Sequence, residues 1–219
     1  MISTIISNKF IFLKIICLLL LSCTSVFNKN VFYKKNIKWD IHKQNLLKLH
    51  NYQVRGSLIY SNDKNKIYSK FFFQRQFYPE KYQLFLMNPI GNVEIEFKFE
   101  DNFSFLNIKN KGVYVGDDVD YMLIKLIGIS IPFNEFVLWL IGLPGSSIDF
   151  IFNENNLLKT MRFKKNNKQI EINYIKYNII KIPYLPSVFE LRQGNNFIKF
   201  KIDDWVLKKW FWHGHLLAN

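Results

Sequence analysis

Val93-Glu94-Ile95-Glu96-Phe97-Lys98-Phe99-Glu100 alternates apolar and charged residues without a break. A strand turns successive side chains to opposite faces. Val93, Ile95, Phe97 and Phe99 are therefore expected on one face, and Glu94, Glu96, Lys98 and Glu100 on the other. A sheet with one greasy face and one wet face favours antiparallel pairing.

Working outward, Tyr82–Met87 precedes this strand across Asn88-Pro89-Ile90-Gly91, and Phe103–Ile108 and Gly112–Val115 follow it. Upstream, Tyr52–Tyr60 and Ile67–Gln76 flank the polar turn Ser61-Asn62-Asp63-Lys64-Asn65 and read as a hairpin. Before them, Trp39 to His50 predicts a first helix, with Trp39, Leu46 and Leu49 near one face and His42 and His50 on the solvated side.

After the first group of strands the period changes to a helical one. Val119, Met122, Leu123, Leu126 and Ile127 follow helical spacing, with Asp117, Asp118 and Asp120 at the start and Gly128 as a stop. Phe133, Phe136, Val137, Leu140 and Ile141 repeat the spacing, closed by Gly142-Leu143-Pro144-Gly145. Strands then return at Ile148–Phe152, Leu158–Lys165, Gln169–Tyr177, Ser187–Gln193 and Phe197–Ile202. This order predicts an α+β fold, an antiparallel sheet whose greasy face is covered by helices.

The bulk numbers fit one such domain. The chain has 219 residues, 49% of them hydrophobic. Its two cysteines, Cys17 and Cys23, both lie in the apolar N-terminal stretch, so no disulfide framework is readable. The formal charge is +13. Lys9 and Lys14 are the only charged residues before Cys23, which leaves +11 from there on. The lysines are scattered among Asn, Ile and Phe, and no recognition helix, zinc knuckle or aromatic RNA motif accompanies them. Nucleic acid is not expected as a partner.

Residues 1–22 have the parts of an export signal, although Lys14 interrupts the apolar run. The run is too short to span a bilayer. Leu20-Leu21-Ser22-Cys23 then fits a lipobox, where a small residue precedes the cut and a thiol accepts the lipid. The reading is a lipoprotein precursor, with a signal at 1–22, lipidation at Cys23 and a polar tether over 23–38. The residue after the cysteine is Thr24, not Asp, which points to the outer membrane.

Catalytic and metal motifs are absent from the sequence: it holds no G-x-S-x-G, H-E-x-x-H, P-loop or dinucleotide fingerprint. His213 and His215 sit in the last residues without a nearby Cys or acidic cluster and read as tail. Neither an enzyme, a metal nor a cofactor is expected. The alternation, the 22 Phe and the two amphipathic helices fit a packed core as well as a hollow for lipid, and pattern alone does not separate the two.

Several stretches resemble one family in order along the chain. Asn51-Tyr52-Gln53-Val54-Arg55-Gly56, Lys66-Ile67-Tyr68-Ser69-Lys70-Phe71-Phe72 and Tyr82-Gln83-Leu84-Phe85-Leu86-Met87-Asn88-Pro89-Ile90-Gly91 are similar to the outer-membrane lipoprotein receptor LolB. So are Lys125-Leu126-Ile127-Gly128-Ile129-Ser130-Ile131-Pro132, Trp139-Leu140-Ile141-Gly142-Leu143-Pro144-Gly145 and Lys201-Ile202-Asp203-Asp204-Trp205. The resemblance implies a strongly curved antiparallel sheet, an incomplete β-barrel covered by a lid of amphipathic helices, over 39–207. Residues 208–219 extend past the family's usual end. It also implies a hollow that takes the acyl chains of cargo lipoproteins from the periplasmic carrier LolA and passes them to outer-membrane phospholipid. A monomer is expected.

On that resemblance, Leu84, Leu86, Val93, Ile95, Phe97 and Phe99 are expected to face the hollow, with Leu123, Leu126, Phe136 and Leu140 contributed by the lid. Pro89, Ile90 and Gly91 form the expected membrane-insertion loop, because the family carries a protruding aliphatic residue at the position of Ile90. Read without the family, the same loop is a tight turn shaped by Pro and Gly. A same-fold lipid-binding or structural envelope lipoprotein without a delivery role is the alternative function.

Overall fold

The computed structural model describes residues 36–127, 131–147, 149–165 and 168–208. Cys23, the signal and most of the tether lie outside the described residues, as do Gly128, Ile148, His213 and His215.

The first helix, α1 (Ile37–Leu47), starts two residues earlier and ends three earlier than the sequence pattern predicts. The Asn36 side chain explains the start. Its Oδ1 accepts a hydrogen bond from the Trp39 backbone N–H at 3.2 Å, a helix N-cap. Ile37 and Lys38, expected in the tether, therefore belong to the helix. Trp39 and Leu46 are its buried residues.

Eleven strands follow: β1 (Tyr52–Ser61), β2 (Lys66–Gln76), β3 (Lys81–Met87), β4 (Val93–Glu100), β5 (Phe103–Ile108), β6 (Gly112–Gly116), β7 (Asp149–Phe152), β8 (Leu158–Lys165), β9 (Lys168–Asn178), β10 (Leu185–Gln193) and β11 (Asn196–Leu207). Helices α2 (Val119–Ile127) and α3 (Phe133–Leu140) stand between β6 and β7. The strands form one antiparallel sheet ordered β6-β5-β4-β3-β2-β1-β11-β10-β9-β8-β7. It is two meanders joined by β1 and β11, with β6 and β7 left as free edges.

Pairing explains the largest boundary difference. The alternation in β11 fades after Ile202, yet the strand continues to Leu207 because Val54, Gln53 and Tyr52 of β1 pair with Trp205, Val206 and Leu207. The β1–β11 ladder shifts register between Arg55 and Gly56. A Cβ at Gly56 would collide with the Lys201 carbonyl and press on the Phe71 ring, so this join requires glycine.

The sheet is strongly curved, as its contacts with α3 demand. This eight-residue helix meets Phe73 of β2, Tyr82 of β3, Phe97 of β4 and Phe200 of β11 through Phe133 and Phe136. On its other side, Trp139 packs on Phe163 of β8 at 5.3 Å. Strands from both meanders can touch so short a helix only if the sheet wraps around it. Asp120 of α2 accepts a hydrogen bond from the Phe133 N–H at 2.8 Å. It supplies the cap that Pro132, at the N-cap position, cannot.

His42 is not on a solvated face. It is half-buried between Trp39 and Tyr184, with ring centroids 5.9 and 6.0 Å away, and burial lowers its pKa. The helix docks on the β9–β10 loop as well as on the sheet, which turns this side inward. His50 is exposed and packs on Phe77 at 4.7 Å.

Candidate functional site

A hollow of about 290 Å³ lies between α3 and the first meander. Its walls are almost entirely carbon. Leu58, Phe71, Phe73, Leu84, Leu86 and Ile95 come from β1 to β4, Ile198 and Phe200 from β11, and Ile131, Phe136 and Leu140 from the lid. This volume is near the lower end for sites that hold small molecules. Among the described residues, no ionisable group lines its depth. Glu94 and Asn88 stand at the rim, beside Tyr60, Ile67 and Tyr68, at the end of the strands that carries the β3–β4 turn.

Of the residues expected to face the hollow, Leu84, Leu86, Ile95, Phe136 and Leu140 line it. The side chains of Leu123 and Leu126 lie outside the described residues. Phe97 is fully buried against Phe133 at 5.5 Å, in packed core beyond the hollow's wall. Phe99 is half-buried and packs on Tyr82 and Phe133. Val93 departs from the expected row and is 45% exposed. The cause is a bulge. Leu86 pairs with Ile95 but Met87 pairs with Val93, so Glu94 has no partner on β3 and the alternation reverses there. Val93 thus shares the outer face with Met87 and Lys70.

The wall residues of β1, β2 and β11 were not singled out from sequence. A signal for β11 exists: Ile198, Phe200 and Ile202 alternate with Lys199, Lys201 and Asp203 as cleanly as the apolar row of β4. In β2 the run Phe71-Phe72-Phe73 hides the facing. Phe71 and Phe73 are buried, whereas Phe72 packs on Phe85 of β3 on the opposite face.

The β3–β4 turn is held by two main-chain hydrogen bonds, Asn88 N–H to the Asn92 carbonyl at 3.0 Å and Gly91 N–H to the Asn88 carbonyl at 2.9 Å, and by one side chain. Asn88 Oδ1 accepts from the N–H groups of Ile90, Gly91 and Asn92 at 3.1, 3.0 and 3.0 Å. Asn88 Nδ2 donates to Glu94 Oε1 at 3.1 Å, and the Lys109 ammonium donates to the same oxygen at 2.9 Å. Gly91 takes φ +105°, which closes the turn and which other residues rarely adopt. The result is a firm turn that presents Ile90 at 87% exposure, next to the rim. Backbone service accounts for Asn88, Pro89 and Gly91. It does not account for an isoleucine at the tip.

Across α3 the structure is sealed. Trp139, Leu158, Met161, Ile172, Phe189 and Leu191 are fully buried. Tyr174 Oη donates to the Trp139 carbonyl at 2.8 Å and Tyr177 Oη to the Leu158 carbonyl at 2.9 Å. Burial pushes both phenols well above their ordinary pKa of 10.0, since the anion would lose its hydration. The lid is packed without a gap on this side; on the other, Phe133 and Phe136 hold its N-terminal turn against Phe73, Tyr82, Phe97 and Phe200, and the hollow lies beside those contacts.

A family model described as "Outer membrane lipoprotein LolB" matches residues 50–205. Among curated relatives, the outer-membrane lipoprotein LolB of Serratia proteamaculans is 37% identical over 78% of this chain and 82% of its own. That of Photorhabdus laumondii is 34% identical over 92% of this chain and 97% of its own. Among solved structures, a LolA-superfamily protein from Nitrosomonas europaea aligns over 77% of this chain and 94% of its own, with TM-score 0.51 and 8% identity. A putative outer-membrane lipoprotein-sorting protein domain from Vibrio parahaemolyticus aligns with TM-score 0.51 and 7% identity over 78% of this chain and 92% of its own. These two likenesses concern the fold alone.

Proposed function

The chain belongs to the LolB family of outer-membrane lipoproteins, and from that premise we propose that it is a lipid-anchored, periplasm-facing receptor of the outer membrane. It accepts lipoproteins from the carrier LolA and inserts them into the inner leaflet. The observation that carries this reading is the apolar hollow beneath the lid. Each methylene that enters it from water gains about 0.8 kcal/mol. A carbon-lined site can therefore hold acyl chains without any bond-making chemistry.

Cys23 carries the lipid in this reading, residues 1–22 are its signal and 23–38 bridge lipid and domain. The receptor works as a monomer and needs no cofactor. Ile90 acts in release. A single Ile side chain gains only about 1.5–3 kcal/mol on burial, too little to anchor a protein. It is enough to seat the rim on a bilayer while the cargo leaves. Transfer needs no nucleotide if the order of affinities runs carrier, receptor, bilayer. About 1.4 kcal/mol between two stations already gives a tenfold bias.

Depletion of the protein in its own cell tests the reading. Other lipoproteins should accumulate in the periplasm on their carrier. Normal sorting under depletion would set the receptor function aside in favour of a lipid-binding envelope lipoprotein of the same fold.

A further inference from the structure

Five isoleucines stand exposed at the end of the sheet remote from Ile90. Ile37 and Ile41 are one turn apart on α1 and lie on one side of it. Ile179, Ile180 and Ile182 belong to the β9–β10 loop. Ile180 is 86% exposed and each of the others more than half. The two elements touch, because His42 of α1 packs on Tyr184 of the loop. Lys38 and the cap residue Lys48 of α1 and Lys181 of the loop are exposed; Asp40 of α1 is exposed among them, and Asp203 and Asp204 of β11 share a cleft with Ile180 and Lys181, while the loop itself holds no acid. Helix and loop thus join wide aliphatic exposure to an excess of positive over negative charge, the combination that favours an interfacial position on a bilayer.

Register sets this face apart from the delivery loop. The β3–β4 turn lies beyond Met87, whereas the β9–β10 loop lies beyond Asn178 and Leu185, at the other end of the strands. The same end is where the chain arrives from its proposed lipid. Twelve residues separate Cys23 from Asn36. At about 3.3–3.6 Å per residue, full extension bounds the reach from the proposed lipid to the start of α1 at about 45 Å. Asn36 is tied down beside this face, its side chain donating to Asn156 at 2.7 Å.

We propose that Ile37 and Ile41 of α1 together with Ile179, Ile180 and Ile182 form a second membrane-contacting surface, docked on the anionic phospholipid of the bilayer that holds the anchor. It keeps the receptor seated between deliveries, while Ile90 serves release. The inference rests on the lipid-anchored reading but not on cargo transfer.

The test uses the mature lipoprotein in vesicles. Its one cysteine, Cys23, is blocked by acylation in that reading, so Ile180→Cys and Ile41→Cys each introduce a single labelling site. An environment-sensitive fluorophore at either position should shift to the blue and become shielded from an aqueous quencher in vesicles containing anionic phospholipid. In zwitterionic vesicles the shielding should be weaker. In vesicles without cargo, where no release is under way, the same label at Asp63→Cys, in the β1–β2 turn at the other end, should stay open to quencher. Equal quenching at positions 180 and 63 in anionic vesicles would overturn the proposal. Shielding that grows with the protein-to-lipid ratio would mark a protein partner and overturn it as well. Cargo transfer measured in the same vesicles separates the readings: shielded labels without transfer would count against the receptor function and leave this surface standing.

Discussion

The two sides of α3 are built from the same residue types and do opposite things. Toward β8, β9 and β10 the lid is packed to exclusion, with Trp139 buried on Phe163 and the Tyr174 hydroxyl bonded to the Trp139 carbonyl. Toward β1 to β4 and β11, Phe136 and Leu140 face a hollow walled by leucine, isoleucine and phenylalanine. Composition therefore does not distinguish core from cavity. What distinguishes them is whether side chains from both layers reach one another. The sealed side supplies stability and holds the lid at a fixed height, and the open side can then stay unfilled.

Four measurements break or sharpen this contrast, from the largest expected effect on stability to the smallest. Trp139→Ala should cost about 3–5 kcal/mol in urea unfolding, since a fully buried large side chain leaves a cavity on the sealed side. A loss below about 1 kcal/mol would mean that the lid is not fastened there.

Tyr174→Phe should cost about 1 kcal/mol at neutral pH, through the lost bond to the Trp139 carbonyl. It should also blunt alkaline unfolding. A tyrosine whose folded pKa lies above its unfolded value of 10.0 contributes stability that is complete below that pH. The contribution is lost as the pH rises toward the folded value. Tyr82, pushed up to about 12 by burial first and by its bond to Glu80 second, adds to the same loss between pH 10 and 12. A stability profile flat across that window would contradict the buried phenols.

Leu84→Ala should cost only about 1 kcal/mol, because its side chain already borders empty space and loses few contacts. Retention of an acylated ligand should weaken in parallel. A cost above about 3 kcal/mol would mean that the hollow is packed in solution.

Ile90→Glu should change stability by less than about 0.5 kcal/mol, as the side chain touches nothing that holds the fold. Transfer assays should show cargo accepted from the carrier and insertion into vesicles sharply reduced. Failure of acceptance would reassign the turn from release to capture.

Much of the site was legible in sequence. Alternation located β4, and helical spacing located both lid helices. The Asn88-Pro89-Ile90-Gly91 turn was legible because Pro and Gly perform backbone work, which leaves the isoleucine without a local reason. Val93 was misplaced because a bulge depends on the register of a partner strand, and no feature of 93–100 records that Glu94 lacks a partner on β3. Phe97 was placed at the wall because alternation reports which face a side chain takes, not how far the opposite layer descends onto it. His42 was read as solvated because its cover comes from Tyr184, far along the chain.

By itself the sequence determined what is local: the strand and helix periods, the turn that presents Ile90, the Leu20–Cys23 pattern that reads as a lipobox and the motif order that resembles the family. Tertiary structure alone decided that β1 and β11 join two meanders and that α3 packs without a gap on one side only. It also decided that a hollow remains on the other. The reason is physical. Period and turn chemistry act over a few residues. A cavity is a mismatch between two distant layers, and it exists only once their separation is set by contacts elsewhere.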